Sequence, residues 1–144
     1  MRHNIFLSMQ NNQKKFDAFR ALNLPLGQYV IIGSGPLGIR NLREIGDIDL
    51  IVSQKLWEDL AFKHGVCVKE GKQYIVVDQA NVEAFRSWTF CNTEEPGPTV
   101  EEMITAADLI EGLPFLSLKH TIFCKRDLGR EKDFKDIALI EQWM

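Results

Sequence analysis

Asp47 and Asp49 stand two residues apart at the head of an apolar run, with Ile48 between them and Leu50, Ile51 and Val52 after them. On a strand, alternate side chains share a face, so the two carboxylates point the same way. Ionised together they repel, and a hard cation such as Mg²⁺ or Mn²⁺ relieves that repulsion through oxygen ligands. Upstream, the apolar run Tyr29–Ile32 ends in Gly33-Ser34. Glycine lets backbone approach a ligand closely. The amides of the turn, with the Ser34 hydroxyl, can donate to phosphate oxygens. The two features together describe metal-assisted chemistry on a phosphate.

A second motif overlaps the first. Gly33-Ser-Gly35-Pro-Leu-Gly38 satisfies G-x-G-x-x-G, the dinucleotide fingerprint. That fold needs a full helix after the turn and an acid at the far end of the next strand. Here only eight residues separate Gly38 from Asp47, and the acids precede the apolar run. The dinucleotide reading is rejected on that geometry.

The elements around these residues follow from periodicity and punctuation. Phe16, Ala18, Phe19 and Leu22 predict a helix over 11–22. Strands are expected at 29–32 and 47–52, with a short helix within 36–43 between them. Ser53 reads as the N-cap of a helix through Trp57, Leu60 and Ala61. Segments 66–68 and 74–77 flank Glu70-Gly-Lys72 as a hairpin, and 82–85 is a further strand. Thr99, with Glu102 three residues on, forms a capping-box pattern. Residues 116–126 and 131–143 read as two helices, making the C-terminal third helical. This predicts one mixed α/β domain over 1–144, of the α+β class, with a mixed sheet flanked by helices.

The basic residues have two readings each. Arg40 and Arg43 could face a phosphate, although solvated positions suit them better. Lys125, Arg130 and Lys132 form a basic cluster on a turn and helix start, where the helix dipole disfavours cations. A bound anion would explain that placement. Lys132 could instead pair with Asp136 along the helix. Trp57, Trp88 and Trp143 read as core, with Trp88 the candidate for a cleft rim.

Composition sets the outer bounds. The 144 residues suffice for one domain with a core. A net charge of −3 argues against general nucleic-acid binding. Cys67, Cys91 and Cys124 are odd in number and far apart, which suits reduced thiols and a cytoplasmic location. The apolar runs are too short for a membrane span, and the N-terminus does not read as a signal peptide.

The order strand, Gly33-Ser34, twelve intervening residues, then Asp47-Ile-Asp49 resembles the nucleotidyltransferase fold of the DNA polymerase β superfamily. The segment from Lys125 through Arg130-Glu-Lys132-Asp133 to Asp136 is similar to the ending of small bacterial and archaeal nucleotidyltransferase-like proteins. The resemblance implies transfer of a nucleoside monophosphate from a nucleoside triphosphate to an acceptor hydroxyl, with Mg²⁺ or Mn²⁺. It implies a metal and catalytic set of Asp47, Asp49 and a third acid on a neighbouring strand. Glu83, between Val82 and Ala84, is preferred for that role over Asp78. Gly33 and Ser34 would bind nucleotide, joined by Arg130 and Lys132 if their helix returns to the cleft. The acceptor and the preferred base are open. The alternative is a catalytically inactive nucleotide-binding or regulatory module of the same fold, working with a partner protein.

Overall fold

The computed structural model describes the backbone of residues 2–78 and 81–144 and the side chains of 6–77 and 81–144. Helix α1 (Arg2–Arg20) leads into strand β1 (Tyr29–Ile32), the short helix α2 (Gly35–Gly38) and strand β2 (Ile48–Val52). Helix α3 (Gln54–His64), strands β3 (Cys67–Lys69), β4 (Lys72–Asp78) and β5 (Val82–Phe85), and helix α4 (Val100–Thr105) follow. Strands β6 (Asp108–Ile110) and β7 (Leu113–Phe115), then helices α5 (Leu118–Leu128) and α6 (Glu131–Trp143), complete the chain.

The strands form one mixed sheet in the order β3-β4-β5-β2-β1-β7-β6. The two central pairs differ in sense. Strands β1 and β2 are antiparallel, whereas β2 and β5 are parallel. This is an α+β fold, as the sequence pattern predicts. The antiparallel β1–β2 pair also excludes the parallel βαβ unit of a dinucleotide fold.

Alternation along the strands divides the core. Ile31, Ile48, Leu50, Val52, Ile75 and Ala84 face one way, into a cluster with Phe16, Phe19, Leu56 and Leu60. Val30, Ile32 and Ile51 face the other, against Met103, Leu116 and Cys124. Two-residue spacing puts Asp49 on the second face with Ile51, and Glu83 there with Phe85.

Several local expectations need correction. Helix α1 starts far earlier than residue 11 and ends at Arg20, before Asn23 turns the chain with φ 52°. Its buried stripe is Asn12, Phe16 and Phe19, and Ala18 is exposed. The helix expected within 36–43 is only four residues long. The segment from Ile39 to Asp47 is irregular instead. Ser53 and Thr99 do cap α3 and α4, each accepting a backbone N–H three residues on.

The β6–β7 hairpin lies where the helical reading of the last third placed no strand. Its turn is Glu111-Gly112, with φ of 50° and 79°. The turn joining β3 to β4 is Glu70-Gly71, with φ of 52° and 78°. Positive φ at both central residues is the tight hairpin turn that matches strand twist. The same dipeptide thus makes both hairpins, and its second occurrence was the signal for β6 and β7. Among the described residues no helix is long and apolar enough to cross a membrane. Cys67, Cys91 and Cys124 are all free thiols.

Candidate functional site

Strand register assembles the site. Across the sheet, Ile32 of β1 lies opposite Asp49 of β2, and Asp49 lies beside Glu83 of β5. The end of β1 therefore delivers Gly33-Ser34 next to Asp49. Gly33 takes φ 69°, and a Cβ there would sit 3.3 Å from the Asp49 carboxylate Oδ2. Glycine takes the left-handed backbone without strain and leaves that approach uncrowded. Gly35 and Gly38 serve packing instead. A Cβ on Gly35 would collide with Ile31 Cγ2, and one on Gly38 with Ile45 Cγ2. The three glycines of the fingerprint are thus explained without a dinucleotide.

Ser34 holds the turn to the aspartates. Its Oγ accepts the Gly46 N–H at 3.3 Å. As an acceptor there, the hydroxyl keeps its own proton free for a phosphate oxygen. The Ser34 carbonyl accepts the N–H groups of Leu37 and Gly38, and Pro36 has none. The short α2 adds little dipole, so an anion would meet the hydroxyl and the backbone at the start of the turn.

Charge is concentrated and uncompensated at Asp49. Burial, then the charges of Glu83 and Asp47, push its carboxyl from 3.8 up to about 7. Asp47 is exposed and Glu83 half-buried. None of the three forms an ion pair with a cation among the described residues. The carboxylates are neighbours rather than a closed cage. No group of three acid, histidine or cysteine side chains among the described residues is disposed to hold a metal. The Asp78 side chain, the other candidate third acid, lies outside the described residues. Backbone pairing sets Asp78 opposite Val82.

A cleft of about 870 Å³ opens beside Asp49. Phe85, Arg86, Trp88 and Asn92 line it, with Lys72 and Asp127. Trp88 therefore does reach a cleft, as its position after Glu83 suggests. Asp127 fixes the wall by accepting the Asn92 N–H at 2.8 Å, while the Asn92 amide donates to the Asp127 carbonyl at 2.7 Å. Sequence reading passed over Asp127 and Asn92, because their pairing spans 35 residues.

The predicted basic contacts go elsewhere. Arg130 donates to Asp133 from Nε at 2.7 Å and Nη2 at 3.1 Å. Its own backbone N–H also donates to Asp133 at 3.1 Å. The anion that offsets a cation at this helix start is thus in the chain. Lys132 is exposed, and neither residue lines the cleft. Asp136 does not pair with Lys132. It accepts from Lys125 at 2.9 Å and from Arg43 at 3.0 Å. Arg40 is likewise no surface residue. It bonds Asp108 at 3.1 Å and the Pro36 carbonyl at 2.7 Å, and stacks on Trp143.

Compared with known proteins, the chain matches no protein-family model, no curated protein and no solved structure.

Proposed function

We propose that this chain transfers a nucleoside monophosphate from a nucleoside triphosphate to an acceptor hydroxyl. The observation that carries the reading is the single row Ile32, Asp49, Glu83 across three strands. It brings a phosphate-approachable turn and two strand carboxylates to one place, with Asp47 two residues away.

Asp47, Asp49 and Glu83 would hold Mg²⁺ or Mn²⁺. Their chemistry suits a hard cation, for all three are carboxylates without a cationic partner among the described residues, although they do not stand together as a ready group of three; burial, with the charges of Glu83 and Asp47, raises Asp49. A cation bound there neutralises phosphate charge and polarises the acceptor oxygen. Ser34 and the turn backbone would bind phosphate oxygens. The cleft beside Asp49 offers the nucleoside or the acceptor an aromatic wall at Trp88 and Phe85. Glu83 would take the proton from the acceptor hydroxyl. That oxygen then bonds the α-phosphorus as the bond to the bridging oxygen breaks, and pyrophosphate leaves. Catalysis of this kind rests on positioning and charge neutralisation. Arg130 and Lys132 have no part in this scheme, because Arg130 is committed to Asp133.

Calorimetry with a nucleoside triphosphate and Mg²⁺ tests it. Metal-dependent binding that survives Asp49→Asn unchanged would sink the reading. A second reading keeps the fold as a non-catalytic nucleotide-binding or regulatory module serving a partner protein. The open arrangement of the three carboxylates favours it. Labelled triphosphate separates the two: binding without pyrophosphate release or label transfer selects the module.

A further inference from the structure

Asn12 occupies a place in α1 where an apolar residue belongs. It shares the stripe of Phe16 and Phe19 at spacings of four and seven, and only 2% of it is exposed. A buried amide costs free energy unless its hydrogen bonds are made. Asn12 makes three, all to one segment. Its Nδ2 donates to the Arg43 carbonyl at 2.9 Å and the Gly38 carbonyl at 3.3 Å. Its Oδ1 accepts the Ile45 N–H at 2.8 Å. The next turn of α1 adds Lys15, whose Nζ donates to the Ile45 carbonyl at 2.7 Å.

That segment joins the Gly33-Ser34 turn to Asp47. From Ile39 to Asp47 it has no regular structure to fix its length, and Asn41 within it takes φ 60°. Its beginning and end are brought together by one side chain, since Gly38 and Ile45 both bond Asn12. The next residue, Gly46, bonds Ser34, and the next again is Asp47. The span between the turn and the first aspartate is therefore set from α1, across 26 to 33 residues of sequence.

We infer that Asn12 is a positioning residue for the metal and phosphate site, with Lys15 as its lesser partner. It touches neither ligand, and acts by holding Gly46-Asp47 against the Ser34 turn. The inference rests on the function proposed above. It assigns to helix α1, an element far in sequence from Glu83, control over where the first metal-binding carboxylate stands.

The test uses the whole chain, Mn²⁺ and inorganic tripolyphosphate, which probes the phosphate and metal site without a base. Asn12→Leu keeps the side-chain size and leaves the Arg43 carbonyl and the Ile45 N–H without partners, while the Gly38 carbonyl keeps the Asn41 N–H. Lys15→Met removes one bond at a half-buried position and leaves the fold secure. Leu60→Ala, a core truncation in α3, is the control for lost stability. All are measured well below their unfolding temperatures. Asn12→Leu is expected to weaken Mn²⁺-tripolyphosphate binding about tenfold or more, Lys15→Met severalfold, and Leu60→Ala hardly at all. Amide exchange at Ile45 and Gly46 should quicken in the two clamp variants alone. If the clamp variants bind as tightly as Leu60→Ala, the positioning role is overturned while the proposed function stands. If Asn12→Leu does not fold, Lys15→Met decides in the same way. If the unaltered chain does not bind the probe, the proposed function fails, and the positioning role fails with it.

Discussion

Two groups of carboxylates in this molecule have opposite surroundings. At the junction of α5 and α6, Asp133 and Asp136 are almost wholly buried, with 1% and 4% exposed. Each has its cations. Lys125 lies 2.9 Å from Asp136 and 3.9 Å from Asp133, Arg43 joins Asp136, and Arg130 joins Asp133. At the sheet, Asp49 is less buried yet has only carboxylates for charged neighbours. The consequence is visible in their titration. Burial alone would raise Asp133, but the hydrogen bonds and charge of Arg130, with Lys125, hold its carboxyl below the usual range. Burial, Glu83 and Asp47 drive Asp49 up to about 7. The chain thus neutralises one acidic cluster by itself and gives the other no cationic partner among the described residues. The first arrangement is architecture, and the second is the one on which the proposed function rests.

The contrast is strongest where a cation is stranded. Asp136→Ala should cost about 3–5 kcal/mol, because it leaves the buried Lys125 ammonium with only the distant Asp133. Urea unfolding reads that loss. A cost near zero would show that the junction is not a neutralised pair. The opposite sign is expected at the sheet. The folded-state pKa of Asp49 lies above the unfolded one, so the folded protein holds that proton more tightly. Its contribution favours folding below about pH 4 and is lost as pH rises to about 7. Without metal at pH 8, Asp49→Asn should therefore raise stability by roughly 2–4 kcal/mol. At pH 4 the gain should vanish. Mg²⁺ should stabilise the unaltered chain and not the variant. A variant less stable at pH 8 would place Asp49 among the structural acids.

A smaller effect tests the approach of the turn. Gly33→Ala should cost about 1–2 kcal/mol from its positive φ and crowd the Asp49 carboxylate. Thermal unfolding and metal titration should both register it. Arg130→Gln separates stability from binding: it takes two guanidinium hydrogen bonds from the buried Asp133 carboxylate and should cost about 1–3 kcal/mol. It should leave metal–tripolyphosphate binding within about twofold, since it replaces no phosphate contact. A large loss of binding would return Arg130 to the phosphate set.

What could be read in advance follows from range. The Gly-Ser turn, the paired aspartates, the caps at Ser53 and Thr99 and the Glu70-Gly71 hairpin all act within a few residues, so type and spacing suffice. The preference for Glu83 used the same local logic of an acid between apolar strand residues. The β6–β7 hairpin was equally local, and the repeated Glu-Gly dipeptide marked it. Basic residues resisted such reading. Arg40, Arg43, Lys125 and Arg130 are alike as sequence, and their partners are set by how helices and loops pack. Asn12 carried a faint mark, an amide in an apolar stripe, but nothing local named its partners.

By itself the sequence determined most of the elements, though not the β6–β7 hairpin or the start of α1, together with the α+β class and the acidic residues gathered at the sheet. Period, capping and strand alternation are short-range properties of the chain. The tertiary structure decided which carboxylate stands beside Asp49, which cations are spent on internal pairs, and what holds Asp47 to the turn. Those outcomes depend on register and on packing between segments tens of residues apart. Electrostatics then makes the distinction: an acid is structural or available according to the charges that the fold brings beside it.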